Sequence, residues 1–129
     1  TVVAIPELQF TVARFQRVEF SFELYYTTVA AAGFRYLLTI PTSPTVARLV
    51  REHIAPDALT TVVTTMETPD GTTNRTITNA SGTLGYIRGS GFIHNGSTAG
   101  TIGLSFAQNA SDAGATIVRA GSYIQGITI

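Results

Sequence analysis

The sequence predicts an all-β domain, a sandwich or jelly roll of roughly eight to ten short strands. Three observations predict it. Apolar residues alternate with polar ones at period two over most of the chain, and β-branched and aromatic side chains dominate these runs. Turn signals rich in Gly, Pro and Asn recur about every 8–12 residues. The length of 129 residues is that of one domain, with no linker, internal repeat or low-complexity block to divide it.

The elements follow in order. Leu8, Phe10 and Val12 alternate in a first strand. Val18, Phe20, Phe22, Leu24 and Tyr26 then place five large side chains on one strand face, with Glu19, Ser21 and Glu23 opposite. On a helix these residues would scatter around all sides, so this run is expected at the centre of a sheet. Val29 to Gly33 reads as a turn, and Phe34, Tyr36, Leu38 and Ile40 resume the alternation. Pro41 and Pro44 bracket a loop, because proline cannot donate to a sheet ladder. Thr45 to His53 fits either a helical turn (Val46, Leu49, Val50) or a strand (Val46, Arg48, Val50), and a strand is the preferred reading. Leu59 to Met66 is a Thr- and Val-rich strand, and Pro69-Asp70-Gly71 a turn.

The second half is richer in glycine. Thr76 to Thr78 suggests a short strand. Thr83 to His94 suggests a longer one, whose Gly85, Gly89 and Gly91 point to bulges or close backbone approach. Asn95-Gly96 is a tight-turn signal. Ile102, Leu104 and Phe106 alternate within Gly100 to Ala107. Ala115 to Arg119 and Ser122 to Ile129 are the last two strands, joined at Ala120-Gly121.

Composition narrows the function classes. Apolar residues are 44% of the chain and charged residues only 12%, about half the usual share. Eight basic residues balance eight acidic ones, so there is no long-range attraction for nucleic acid or an anionic membrane. A neutral surface rich in Thr, Ser, Asn and Gln suits identical copies packed side by side. There are no cysteines, which excludes disulfides and thiolate metal sites. No run of about 18 apolar residues offers a membrane-spanning helix, and no membrane insertion is expected.

The residues that carry chemistry elsewhere form no site here. His53 and His94 are in no metal-ligand spacing, and no Gly-x-Ser-x-Gly elbow presents a serine. Glu19 and Glu23 share a strand face with Cα atoms about 13 Å apart, long for a glycosidase pair. Solvent exposure, or pairing with Arg14, Arg17 or Arg35, is the expected role. Four Asn-x-Ser/Thr sequons, at Asn74, Asn79, Asn95 and Asn109, fall in turn-like segments where these residues belong in any case. The reading is therefore non-enzymatic, with no catalytic, cofactor-binding or metal residue, no cofactor, and no binding residue singled out.

Arg17-Val18-Glu19-Phe20-Ser21-Phe22-Glu23-Leu24-Tyr25-Tyr26, followed by Ala31-Ala32-Gly33-Phe34-Arg35-Tyr36 and Pro41, resembles the first half of a domain common in tailed-bacteriophage structural proteins. Gly100 to Asp112, with Ala107-Gln108-Asn109-Ala110-Ser111-Asp112, and Ala120-Gly121-Ser122-Tyr123-Ile124 are similar to its second. The resemblance covers about half the chain, and Thr45 to Ser81 has no counterpart in it. It implies an antiparallel jelly roll like that of tumour necrosis factor over residues 1–129; because the sequence begins at Thr1 with no basic and apolar leader pattern, it is expected to be the C-terminal domain of a longer chain or a processed product. It implies a virion protein, usually a homotrimer, in a tail fibre, needle or head fibre. The partners expected are copies of itself, other virion proteins and a host cell-surface receptor or glycan, with no nucleic acid. A capsid decoration protein and a carbohydrate-binding module are the alternatives. In the motif, Gly121 is expected to permit a tight reversal and Tyr123 to pack its ring.

Overall fold

A computed structural model of the chain describes residues 2–29, 32–54, 62–67, 69, 71, 75–77, 84–110 and 112–129, with side chains of 50–54, 62–67 and 75–77 left aside. Ten strands are found among them: β1 (Val3–Val12), β2 (Arg17–Thr27), β3 (Phe34–Thr39), β4 (Val46–Ile54), β5 (Val62–Glu67), β6 (Arg75–Ile77), β7 (Gly85–His94), β8 (Gly100–Gln108), β9 (Ile117–Val118) and β10 (Tyr123–Thr128). They form two antiparallel sheets, one in the order β1-β8-β3-β6 and one in the order β10-β2-β7-β4-β5, with β9 also on β2. Every connection crosses between the sheets except β4–β5 and β9–β10. The all-β jelly-roll sandwich that the alternation predicts is the fold observed.

The core lies between the sheets. Val18, Phe20, Phe22, Leu24 and Tyr26 are each at most 3% exposed, so the β2 face read from the sequence is the inner face. Full burial of each such side chain stabilises the fold by about 2–3 kcal/mol. From the facing sheet, Phe34 stacks on Tyr26 with ring centroids 3.9 Å apart, and Tyr36 meets Phe22 at 6.3 Å. These large rings fit because β7 gives way to them. Gly85 pairs with Tyr26 and Gly89 with Phe22, and a Cβ at either position would come within 2.1 or 2.3 Å of the opposite ring. Close approach is thus what two of the β7 glycines serve.

Three expectations are corrected. Asn95-Gly96 is not a two-residue hairpin turn: β7 and β8 lie in different sheets, and Asn95–Ala99 carries the chain between them. Thr45 to His53 does contain the expected strand, β4, but its inner face is Ala47 and Leu49, 4% and 1% exposed, while Val46 and Arg48 face outward; the register with β7 overrides the preference for larger side chains. Finally, Ala120-Gly121 does not reverse the chain. Both β9 and β10 run along the same edge of β2, and the pairing slips by two residues between them, from Val118↔Tyr26 to Tyr123↔Glu23. Gly121 takes φ +95° in that bulge.

The predicted Leu59–Thr61, Asp70 and Thr78 fall outside the described residues, as do the sequons at Asn74 and Asn79.

Candidate binding face

Pairing in the β10-β2-β7 sheet sets outward side chains in rows across the strands. Tyr123, Glu23 and Arg88 are one row; Gln125, Ser21 and Ser90 the next; Ile127, Glu19 and Phe92 a third. Tyr25 lies beside Tyr86 at the other end. On β2 and β7 these positions alternate with core residues two apart, so the strand that builds the core also holds the outer face rigid.

Glu23 is the centre of the densest polar group. Tyr25 donates its hydroxyl to Glu23 Oε2 at 2.8 Å, and Tyr86 donates to Oε1 at 3.3 Å. Arg88 Nε approaches Oε1 at 3.4 Å, with the Glu23 side chain 17% and the Arg88 side chain 56% exposed. The Arg88 guanidinium also lies 5.6 Å from the Tyr86 ring centroid, and the Tyr25 and Tyr86 rings are 5.1 Å apart. Tyr123, 38% exposed, flanks the group from β10. The hydrogen bond to Glu23, then burial, then the carboxylate's charge raise the Tyr25 hydroxyl above its usual 10.0. Burial and the Glu23 charge raise Tyr86 too, against the opposing pull of Arg88.

Two open depressions adjoin this group. One, of ≈ 410 Å³, runs over Ser21, Ser90, Phe92, Gln125 and Ile127. The other, of ≈ 630 Å³, is walled by Tyr25, Leu84, Arg119 and Gly121. Its wall is the β9–β10 bulge, where Ser122 completes the ladder with its side chain: Tyr25 N–H donates to Ser122 Oγ at 2.9 Å, and Ser122 Oγ donates to the Arg119 carbonyl at 2.8 Å. In the other part of the resemblance motif, Gln108 Nε2 donates to the Gly114 carbonyl, Asp112 N–H donates to Gln108 Oε1 at 3.2 Å, and Gly114 N–H donates to Asp112 Oδ1 at 2.7 Å. Both motif pieces lock loops.

The residues of catalytic or metal-binding type are spread apart. Glu23 pairs with Arg88, not with Arg14, Arg17 or Arg35; Arg35 belongs to the other sheet. Glu19 is exposed. His94 is half-buried at the end of β7, and His53 has its backbone in β4 with its side chain outside the description. Asn95 is fully buried, with Nδ2 donating to the carbonyls of Ala13 (3.0 Å) and Thr98 (2.9 Å). Asn109 is exposed. Among the described residues no group of three His, Cys, Asp or Glu side chains could hold a metal ion.

No binding residue is singled out by the sequence, and the tyrosine–carboxylate group emerges only from the fold. Its local signal was the i, i+2 spacing of Glu23 with Tyr25 and of Tyr86 with Arg88, which puts each pair on one strand face. Only the β2–β7 register joins the two pairs.

Comparison with known proteins returns no matching family model, no matching curated protein and no matching solved structure.

Proposed function

We propose that this chain is a non-enzymatic structural domain of a bacteriophage particle, assembled as a homotrimer in a tail fibre, needle or head fibre, and that it meets the host surface. The observation that carries the assembly is an apolar group left open at one end of the β10 edge. Ile127 and Ile129 are 60% and 58% exposed, and Phe15 is 63% exposed. The Gln16 Nε2 to Thr128 Oγ1 hydrogen bond of 2.8 Å brings the Phe15 turn beside β10. Phe15 also has φ +61°, a left-handed backbone that costs a side-chain-bearing residue about 1–2 kcal/mol. An exposed phenylalanine held at that cost gains little in a lone monomer and much under a neighbouring copy.

The edge supports the same reading. No described strand pairs with the far side of β10, and Tyr123–Ile129 contains no charge and no proline to guard it. The zero net charge removes repulsion between copies. The phage setting rests on the resemblance, whose segments occupy β2, β3, β8 and β10.

Sedimentation of the chain beside a Phe15→Gly variant tests the assembly. The variant relieves the backbone and deletes the contact, so it is expected to stay folded and sediment as a monomer while the parent sediments as a trimer. A parent that is monomeric at micromolar concentration would overturn the reading.

A further inference from the structure

We infer that the Tyr25–Glu23–Tyr86 group, with Arg88 and Tyr123, is a binding site for a neutral oligosaccharide. The inference deepens the host-contact part of the proposal above, and rests on it only for where the sugar is displayed.

A sugar ring offers apolar C–H faces and an edge of hydroxyls, so its site needs flat aromatic surface beside fixed hydrogen-bonding groups. Both are present. Tyr25 and Tyr86 stand side by side with rings tilted by 34°, and Tyr123 adds a third ring from β10. Tyrosine supplies such area at small entropic cost, because only two torsions are fixed on binding.

The polar groups are already aimed. Glu23 receives the Tyr25 and Tyr86 hydroxyls and the Arg88 Nε on its two oxygens. A carboxylate has about four acceptor positions, which leaves room for a sugar hydroxyl. Each tyrosine oxygen donates to Glu23 and so can accept from a second sugar hydroxyl. The group is preorganised on the two strands whose inner faces form the core, so little ordering is required on binding.

Charge sets the class of sugar. Among the group's described side chains the Glu23 carboxylate and the Arg88 guanidinium are of opposite sign and lie together, so none of them stands as a lone charge to select an anionic saccharide. Extent sets the length: the depression beside Leu84, at the end of the group away from Ile127, continues the strip, so the ligand is an extended chain rather than one residue. Affinity per site is expected to be modest, with avidity supplied by repeated copies.

The test is titration of the full chain with soluble neutral tetrasaccharides of hexose and N-acetylhexosamine, alongside sialylated counterparts. Tyrosine emission is a direct readout because the chain has five Tyr and no Trp. At least one neutral tetrasaccharide is expected to bind saturably, with Kd on the order of 1 mM or below. Tyr86→Ala and the exposed Tyr123→Ala are each expected to weaken it about tenfold or more, while Tyr25→Phe, which keeps the ring, weakens it less. Circular dichroism confirms that each variant is folded, and Tyr123→Ala keeps the test valid if Tyr86→Ala fails to fold. Saturable binding by a monomeric chain would support the site and count against the trimer. No saturable binding of any neutral tetrasaccharide, binding of sialylated forms alone, or binding untouched in the folded Tyr123→Ala variant would overturn the site, whatever the oligomeric state.

Discussion

At the scale of single residues, Asn95 and Glu23 are polar groups whose positions matter for different reasons. Asn95 is buried beneath the Ala13–Gln16 turn and joins it to the β7–β8 loop through both of its amide donors, while its Oδ1 accepts from Gly96 N–H at 3.0 Å. Replacing it with alanine removes both amide donors and leaves the buried Gly96 N–H without its acceptor. Asn95→Ala is expected to cost about 2–4 kcal/mol, read as a lower midpoint in urea unfolding; a loss under about 0.5 kcal/mol would show that water replaces the amide. Glu23 governs two titrations. Its hydrogen bond and charge raise Tyr25, and its charge helps raise Tyr86. Both hydroxyls favour the protonated form in the folded state, so their contribution is complete below pH 10 and fades as the pH rises through the raised folded values. Glu23→Gln is expected to move tyrosinate formation to lower pH in an ultraviolet titration, and an unchanged curve would refute the contact.

At the scale of elements, the pairing of large rings on β2 with glycines on β7 makes a sharp prediction. Gly89→Ala would place a methyl carbon 2.3 Å from the Phe22 ring. Overpacking of this kind costs about 1–3 kcal/mol, and Gly89→Ala with Phe22→Leu is expected to recover much of it; additive losses would contradict the contact. The strands themselves were legible because period-two alternation is local. It marked the inner face of β2 residue by residue and placed the cores of β1, β3 and β8. What failed was what strands distant in the chain decide. The inner face of β4 follows its register with β7, and no feature of Val46-Ala47-Arg48-Leu49 alone selects the smaller alanine for the core. The two segments expected to turn tightly, Asn95-Gly96 and Ala120-Gly121, have the right residues for a local reversal. The first instead crosses between sheets and the second bulges along one edge. The tyrosine group was hidden for the same reason: its halves come from strands far apart in the chain.

For the whole molecule, the proposed trimer would join rigid sandwiches through the uncharged β10 edge. An edge strand with exposed Ile127 and no charged guard can be tested by supplying the guard. Ile127→Lys adds a charge where it stays solvated in a monomer and is buried in an assembly. It is expected to leave the thermal midpoint of the dilute chain nearly unchanged and to dissociate the oligomer; an oligomer that survives it would place the contact elsewhere. The measurement that reaches the central claim most directly is the native mass of the unmodified chain, by light scattering at micromolar concentration. A homotrimer gives a particle of three times the 13.7 kDa chain mass, and this is the expected result. A stable species of 13.7 kDa would contradict it.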